Sequence, residues 1–372
     1  MVIKYLYIDD DKPTKAKATV MSINNVSKGL SIDVEQVKAW QHQLKFLIDN
    51  QEEFDGYILD LKLNEEKDVK YRGLALAQEL RTLATEDKEI KKGFPIILCS
   101  ANEKFEESYN KDSTGHNLFD IAYSKLTMAD DYKRVHDELI DLANAYMFVN
   151  KTQNLHEILG LKPNHNVDPL VIDHLDNLIK KPTHELILFF KREIIESSSV
   201  LIDEKSLAAK LGVDYERSLD WKFLLDQILR DFSYNGILSD AWPRWWKGEL
   251  INWIQESFGF GWRAKDARER VDILKEKYGL KELQSPNPTK YSKSTKFWTV
   301  CIGTGNPIDP NEGLIIEGQD NKFPWQEKER VSIYEAVERT NLSRWKSLSV
   351  IENERFEVIK IRVGRELSRK RQ

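Results

Sequence analysis

Polar side chains that could do chemistry follow short apolar runs in the first third of the chain. Asp60 ends one run, and Asp9 and Asp10 follow another. Ser100 and Lys125 come directly after two more runs. Because ligands bind at the carboxyl ends of strands in an open parallel sheet, we expect these side chains to converge on one edge of one sheet. Transfer of a phosphoryl group with the help of a divalent cation uses this combination of groups: a carboxylate, an acidic cluster, a hydroxyl and an ammonium group.

Each of these groups has a defined task in phosphoryl transfer, which needs an in-line nucleophile and positive charge on the equatorial oxygens. Asp60 can supply the nucleophile and become an acyl phosphate. Asp9 or Asp10, together with Asp60, can offer the oxygen ligands that Mg²⁺ prefers. Lys125 supplies a fixed positive charge, and Ser100 can move toward a phosphoryl oxygen. Taken singly, such residues are typical of helix starts, turns and solvated surfaces, so the prediction depends on their common order.

Alternating strand and helix patterns position these residues. Short apolar runs predict strands, and apolar residues at spacings of three and four predict helices. The predicted strands are 3–8, 30–37, 56–60, 94–99 and 119–123, and the predicted helices are 13–27, 40–54, 73–83 and 132–146. This alternation predicts an α/β fold with a doubly wound, five-stranded parallel sheet.

At these residues the chain resembles the receiver domain of bacterial response regulators, over roughly the first 130 to 147 residues and nothing beyond. The resemblance implies that Asp60 is the phosphoacceptor, with a histidine kinase or a histidine phosphotransfer protein as the donor. It also implies that Asp9, Asp10, Asp60 and the backbone carbonyl of Lys62 hold Mg²⁺. By the same resemblance, Ser100 contacts the phosphoryl group and Lys125 pairs with it.

The chain departs from the receiver pattern at three positions. Asn64 stands where receivers commonly have proline, and Leu126 follows Lys125 where proline is usual. Ala122 stands where many receivers carry a switching Tyr or Phe, and Tyr123 is one position away. The acceptor chemistry is expected to be intact, whereas the usual coupling between the hydroxyl and an aromatic ring is not.

Composition indicates the class and location of the protein. The net charge of −5 argues against a globally basic nucleic-acid binder. The two cysteines, Cys99 and Cys301, fit a reducing compartment and exclude a disulfide framework. There is neither a signal peptide nor a long apolar run, so we expect a soluble, cytoplasmic protein with no membrane partner.

The length of 372 residues predicts further domains after the receiver. The predicted division is a receiver at 1–128, a connecting helix and linker at 129–168, and an output domain at 169–372. Within the output domain, 169–283 is predicted to be mostly helical and 284–372 to be a small α+β part. Phe356 to Val363 alternates like a strand, and the basic segment 355–372 is most typical of a solvated end.

The output domain allows more than one function. Ser206 to Val213 resembles the first helix and turn of a helix-turn-helix, so a reading helix is expected over Tyr215 to Phe232. That helix holds many large apolar residues, which is more typical of a core than of a groove-binding helix. The leading hypothesis is therefore a phosphorylation-controlled response regulator that acts through an unidentified protein partner and is not itself an enzyme. The alternative is a phosphorylation-controlled DNA-binding transcriptional regulator, so nucleic acid is a possible but less favoured partner.

Overall fold

The computed structural model describes residues 2–63, 69–87, 89–90, 92–101, 117–163, 165 and 167–369. Asn64 and the remainder of the segment up to residue 68 lie outside the described residues. The chain divides into two compact units. The first comprises 1–164, 169–192 and 235–242, and the second comprises 165–168, 193–234 and 243–372.

The first unit alternates strands and helices in the order that the sequence predicts. Its strands are β1 (Ile3–Asp9), β2 (Leu30–Gln36), β3 (Gly56–Asp60), β4 (Ile96–Ser100) and β5 (Ile121–Ser124). Its helices are α1 (Pro13–Asn24), α2 (Trp40–Asp49), α3 (Gly73–Thr82), α4 (Lys125–Asp130), α5 (Tyr132–Val149), α6 (Leu155–Ile158), α7 (Pro169–Leu178) and α8 (Thr183–Phe189).

The strands form one five-stranded sheet in the order β2-β1-β3-β4-β5, and all neighbours are parallel. This is the flavodoxin-like order of doubly wound folds, in which the crevice at the carboxyl ends of β1 and β3 is the ligand site. The predicted fold class of this unit is therefore confirmed, and β1 and β3 are hydrogen-bonded neighbours.

The central strands β3 and β4 are buried on both faces, which explains why they are continuously apolar and not alternating. Leu6, Ile8, Leu59 and Leu98 on one face belong to a core cluster that also contains apolar residues of α2 and α3. In β3 and β4 the residues that carry a charge or an aliphatic hydroxyl, Asp60 and Ser100, stand at the carboxyl end.

A buried polar cluster around Asp120 ties the elements together. Arg81 on α3 donates to Asp120 at 2.9 Å, and Tyr146 on α5 donates to it at 2.7 Å. The backbone amide of Ile96 also donates to Asp120, at 2.8 Å. Because these groups are buried and hydrogen-bonded through Asp120, the cluster fixes α3 and α5 against the sheet.

Helix α5 is the predicted connecting helix, and it belongs to the first compact unit. The hydroxyl of Tyr5 on β1 donates to the carbonyl of Leu139 at 2.9 Å, and Leu139 is buried. The compact units do not divide at 128 and 168, and whether those positions bound independently folding domains stays a prediction.

The second unit combines two-residue strands with helices of up to 17 residues. Its strands are the pairs β6 (Leu201–Ile202) with β7 (Trp245–Trp246), β8 (Thr299–Val300) with β9 (Pro307–Ile308) and β10 (Leu314–Ile315) with β11 (Arg330–Val331). Its helices are α9 (Glu204–Leu211), α10 (Trp221–Phe223), α11 (Lys247–Phe258), α12 (Ala267–Tyr278), α13 (Ile333–Glu338) and α14 (Asn353–Arg369). The predicted helical region followed by a small α+β part is confirmed.

Two buried basic side chains organise the core of the second unit. The ammonium group of Lys210 lies 3.0 Å from the carbonyl of Trp298 and 3.3 Å from a carboxylate oxygen of Glu327. The guanidinium group of Arg270 donates to several backbone carbonyls, including that of Phe297 at 2.7 Å. Because buried charges are costly unless they are paired, these contacts explain how basic residues occur inside this core.

The predicted reading helix over Tyr215–Phe232 is wrong in its first part. Helix α10 begins only at Trp221, because the preceding residues form a turn. The hydroxyl of Ser218 donates to the carbonyl of Asp214 at 2.6 Å and accepts from the amide of Gln284 at 2.8 Å. Such side-chain bonds to the backbone compete with helix formation. The one basic residue near the end of α9, Lys210, is buried and not available to nucleic acid.

The predicted strand over Phe356–Val363 is also wrong, because this segment lies within helix α14. The same apolar residues satisfy a helical pattern: Phe356, Ile359 and Val363 are separated by three and four positions. Ile359 and Val363 are buried in a core cluster, and Phe356 packs against it. Packing therefore decides between the two periods.

Candidate functional site

The predicted site residues lie where the strands end. Asp9 is the last residue of β1, Asp60 of β3 and Ser100 of β4, and Lys125 begins α4 immediately after β5. Asp9, Asp60 and Ser100 are buried. The parallel register therefore brings these residues to one edge of the sheet, as the sequence predicts.

Lys125 lies at the centre of the acidic residues. Its ammonium nitrogen is 2.8 Å from Oδ2 of Asp9, 2.9 Å from Oδ2 of Asp11 and 2.9 Å from Oδ2 of Asp60. Asp9 and Asp60 are almost fully shielded from solvent, and the Lys125 side chain is 18% exposed. These contacts hold Lys125 beside Asp60, where its charge would lie next to a group bound to that carboxylate.

Asp9, Asp10 and Asp60 form a potential metal-binding group. One carboxylate oxygen from each residue lies within 4.8 Å of the others. Carboxylate oxygens are suitable ligands for Mg²⁺, which usually keeps several water ligands as well. This donor set fits the predicted cation. The role of the Lys62 carbonyl stays a prediction; the Lys62 amide donates to Oδ1 of Asp60 at 3.3 Å.

Burial has the largest effect on the protonation of the Asp60 carboxylate. Burial raises the pKa of Asp60 from 3.8 to about 6, and the negative charge of Asp9 adds to the effect, while Lys125 opposes it. Burial would lower the pKa of Lys125, but its attraction to Asp60 and its hydrogen bonds to the carboxylates raise it well above its ordinary value. At neutral pH Lys125 is therefore charged and Asp60 is mainly ionised.

Ser100 is the one predicted site residue whose polar group is unsatisfied. Its hydroxyl oxygen is buried and has no hydrogen-bond partner among the residues that the structure describes. A buried hydroxyl without a partner is costly. Any neighbouring group that accepts a hydrogen bond from the Ser100 hydroxyl would therefore be stabilised. A phosphoryl oxygen would be such an acceptor.

Sequence reasoning assigned no role to two residues of the site, although one of them, Asp11, was expected in the acidic cluster. Asp11 pairs with Lys125, and its amide donates to Oδ1 of Asp9 at 2.8 Å. The Tyr7 hydroxyl donates to Oδ2 of Asp9, and burial raises the Tyr7 pKa well above its ordinary value, so the group stays a donor. Asp11 belongs to the acidic cluster after β1, which was a usable signal. Strand alternation predicts that Tyr7 points inward. In the sequence, however, nothing distinguishes it from a tyrosine that only packs in the core.

The structure shows the surroundings of Ala122 and Leu126, the two described positions at which the chain departs from the receiver pattern, and of the neighbouring Tyr123. Ala122 packs against the core cluster that also contains residues of α2 and α3. Tyr123 is buried, and its hydroxyl donates to Glu138 on α5. Because neighbouring strand residues point to opposite faces, Tyr123 cannot replace the aromatic ring that receivers have at 122. Leu126 lies in the first turn of α4 and is 55% exposed.

Gly73 permits the close approach of α3 to the end of β3. A Cβ atom at this position would lie 2.1 Å from the carbonyl oxygen of Asp60, which is backbone and cannot move aside cheaply. We expect Gly73→Ala to destabilise the first unit by about 1–3 kcal/mol, as overpacking usually does. It should also weaken Mg²⁺ binding, because Asp60 must shift.

Thermal unfolding and a Mg²⁺ titration of the Gly73→Ala variant measure both effects. Gly261→Ala is a suitable control, because a Cβ atom there would meet no heavy atom within 4 Å. Equal stability and equal Mg²⁺ affinity for the two variants would contradict the role of Gly73.

Comparisons with known proteins return similarities to solved structures alone. No family model matches the chain, and no curated protein matches it. A response regulator receiver domain protein from Clostridium thermocellum is 15% identical, with a TM-score of 0.27, over 38% of this chain and 95% of that one. An adenylate cyclase from Rhodopirellula baltica is 11% identical, with a TM-score of 0.30, over 41% and 96%. The Legionella pneumophila response regulator LqsR is 13% identical, with a TM-score of 0.27, over 62% and 76%.

These TM-scores are too low to assign an overall fold. The first unit has a doubly wound, five-stranded parallel sheet in the flavodoxin-like order, with Asp60 at the end of the central strand. The first unit therefore has the flavodoxin-like, doubly wound fold, an architecture that receiver domains share with other proteins.

The length and hydropathy of the helices bear on the expectation that the protein has no membrane partner. Among the described residues, none of the helices has the length and apolar character needed to cross a bilayer. The cytoplasmic location and the absence of enzymatic activity stay predictions.

Proposed function

We propose that the protein is a two-component response regulator that is phosphorylated on Asp60 with the help of Mg²⁺. The observation that carries the proposal is the position of Lys125, whose ammonium group contacts Asp9, Asp11 and Asp60 beside a potential cation site. A histidine kinase or a histidine phosphotransfer protein would be the donor.

The chemistry follows from the charges in the site. An oxygen of the Asp60 carboxylate attacks the phosphorus atom of a phosphohistidine, and the bond between that phosphorus and the donor nitrogen breaks. The histidine leaves with the bonding electrons and takes up a proton. Lys125 stabilises the charge on the transferred oxygens, and Mg²⁺, held by Asp9, Asp10 and Asp60, would supply further positive charge.

Ser100 would then respond to the phosphoryl group. Its unsatisfied hydroxyl gains an acceptor, and hydrogen bonds to charged oxygens are short and strong. Ala122 provides no aromatic ring that could move together with Ser100, so the conformational change would have to reach the rest of the protein by another route. This mode of coupling differs from the one that the receiver resemblance implies.

The second unit would act through contact with another protein. Large apolar side chains are exposed on it: Leu219 is 83% exposed, Phe223 53% and Phe260 87%. Exposed apolar surface of this kind favours protein binding over nucleic-acid binding, which requires basic surface. The chain is proposed to be a regulator and not an enzyme.

Phosphorylation with a small phosphodonor tests the proposal. In the presence of Mg²⁺ the protein should gain one hydroxylamine-sensitive phosphoryl group, and Asp60→Asn should gain none, because asparagine cannot form an acyl phosphate. Intact-protein mass spectrometry measures the product. Asp33→Asn removes an exposed carboxylate on β2 and should be labelled like the original protein. Equal labelling of Asp60→Asn would show that the acceptor assignment is wrong.

A further inference from the structure

Helix α14 has apolar residues on two sides, and only one side is covered. Ile359 and Val363 are 8% and 2% exposed and belong to a core cluster. On the opposite side, Val358 and Ile361 are 68% and 56% exposed. Exposed apolar residues that are adjacent on one helix indicate an interaction surface.

The exposed side of α14 forms a regular row, which we call the outer stripe. It consists of Ile351, Glu354, Val358, Ile361 and Arg365. Alternating spacings of three and four place these residues on one face, as in the seam of a two-stranded coiled coil. Ile351, in the 3₁₀ turn before α14, is 71% exposed.

The charged members of the outer stripe differ from their neighbours in having no partner. Glu357 and Lys360 form an ion pair at 2.6 Å within the helix. Glu354 and Arg365 are exposed and form no ion pair or hydrogen bond in the part of the chain that the structure describes. Within α14 the stripe therefore begins with an acidic residue, Glu354, continues with the apolar Val358 and Ile361, and ends with a basic residue, Arg365.

We propose that the outer stripe pairs with the outer stripe of a second copy of this chain, in an antiparallel arrangement. A twofold axis between positions 358 and 361 places Val358 opposite Ile361 of the second copy. The same axis places Glu354 opposite Arg365 of the second copy, and Arg365 opposite Glu354. Such a contact is isologous, because each residue pair occurs twice.

The charges select both the partner and its direction. A parallel pair would place Glu354 against Glu354 and Arg365 against Arg365, which is repulsive. Only the antiparallel pair of identical stripes satisfies both charges at this spacing. Few apolar side chains are buried per copy, so the interface is smaller than a standard stable one and the dimer should be weak and concentration-dependent.

Sedimentation equilibrium of the full chain tests the proposal. The protein should form a reversible dimer. Glu354→Arg alone, or Arg365→Glu alone, should raise the dissociation constant by about tenfold or more, because two attractive pairs become repulsive. Val358→Lys should abolish the dimer. All three positions are exposed, and circular dichroism checks that the variants are folded.

Reversing both charges of the stripe tests the antiparallel pairing itself. The double variant Glu354→Arg/Arg365→Glu restores both pairs and should dimerise like the original protein. An equal mixture of the two single variants should form a mixed dimer that is tighter than either variant alone. The control Glu357→Arg/Lys360→Glu reverses a charge pair off the stripe and should change nothing.

Three results would overturn the proposal. The first is a monomer at every concentration. The second is a dimer that is insensitive to Val358→Lys. The third is a dimer that the single charge variants weaken but that neither the double variant nor the mixture restores, since that would exclude the antiparallel pairing. The expectation does not depend on phosphorylation of Asp60.

Discussion

Asp60→Asn should make the first unit more stable at neutral pH in the absence of divalent cations. Burial and the charge of Asp9 raise the Asp60 pKa from 3.8 to about 6, despite the opposing effect of Lys125. The folded state therefore binds a proton more tightly than the unfolded state, and this stabilisation is lost as the pH rises through about 6. Asparagine resembles the uncharged acid, so the variant should gain about 2–3 kcal/mol above that pH.

The pH and Mg²⁺ dependence separates this effect from a general change in packing. Below about pH 4 the advantage of the variant should vanish, because Asp60 is then protonated in both states. Saturating Mg²⁺ should also reduce it, because the cation stabilises the ionised carboxylate of the original protein. Unfolding in urea measures the difference, and hydrogen exchange in peptides from β1 and β3, monitored across the titration, assigns the unfolding transition to this unit. Asp33→Asn, on the exposed side of β2, should have little effect. An Asp60→Asn variant that is less stable at neutral pH would contradict the electrostatic account.

Much of the site could be predicted because parallel strands fix where their ends lie. A polar residue after a continuous apolar run has one accessible place, the edge of the sheet, so Asp9, Asp60 and Ser100 could be placed from the sequence. The contact between Lys125 and Asp11 could not, because it depends on the distance between the loop after β1 and the start of α4. The position of a residue along its strand does not reveal the distance between two such loops.

The second unit was less predictable because its strands are short. Each of its strands has two residues, and such elements are determined by tertiary contacts more than by local pattern. The segment Phe356–Val363 shows the difficulty, because its apolar residues fit both a period of two and a helical period. The turn at Asp214–Ser218 depends on the distant Gln284, which no local pattern reveals.

Lys125→Met should have the largest effect of any single change in the site. Lys125 contacts Asp9, Asp11 and Asp60, and two of these carboxylates are buried. Removing one partner of a buried ion pair leaves uncompensated charge and usually costs about 3–5 kcal/mol. Because the Lys125 side chain is 18% exposed, solvent offsets part of this cost, and we expect a loss of about 2–4 kcal/mol at neutral pH. Urea unfolding of the first unit, without divalent cations, measures it.

Rescue experiments show whether repulsion among the carboxylates causes this loss. Mg²⁺ should stabilise Lys125→Met more than the original protein, because the cation replaces the missing positive charge near Asp9 and Asp60. Adding Asp60→Asn should recover much of the stability, so the two changes should not be additive. Lys15→Met is the matched control: Lys15 also pairs with Asp11, but its side chain is 70% exposed, so its loss should cost less than about 1 kcal/mol. If Lys125→Met and Lys15→Met are equally stable, or if Asp60→Asn does not relieve the loss, then Lys125 does not neutralise the acidic site and its contact with Asp60 is incidental.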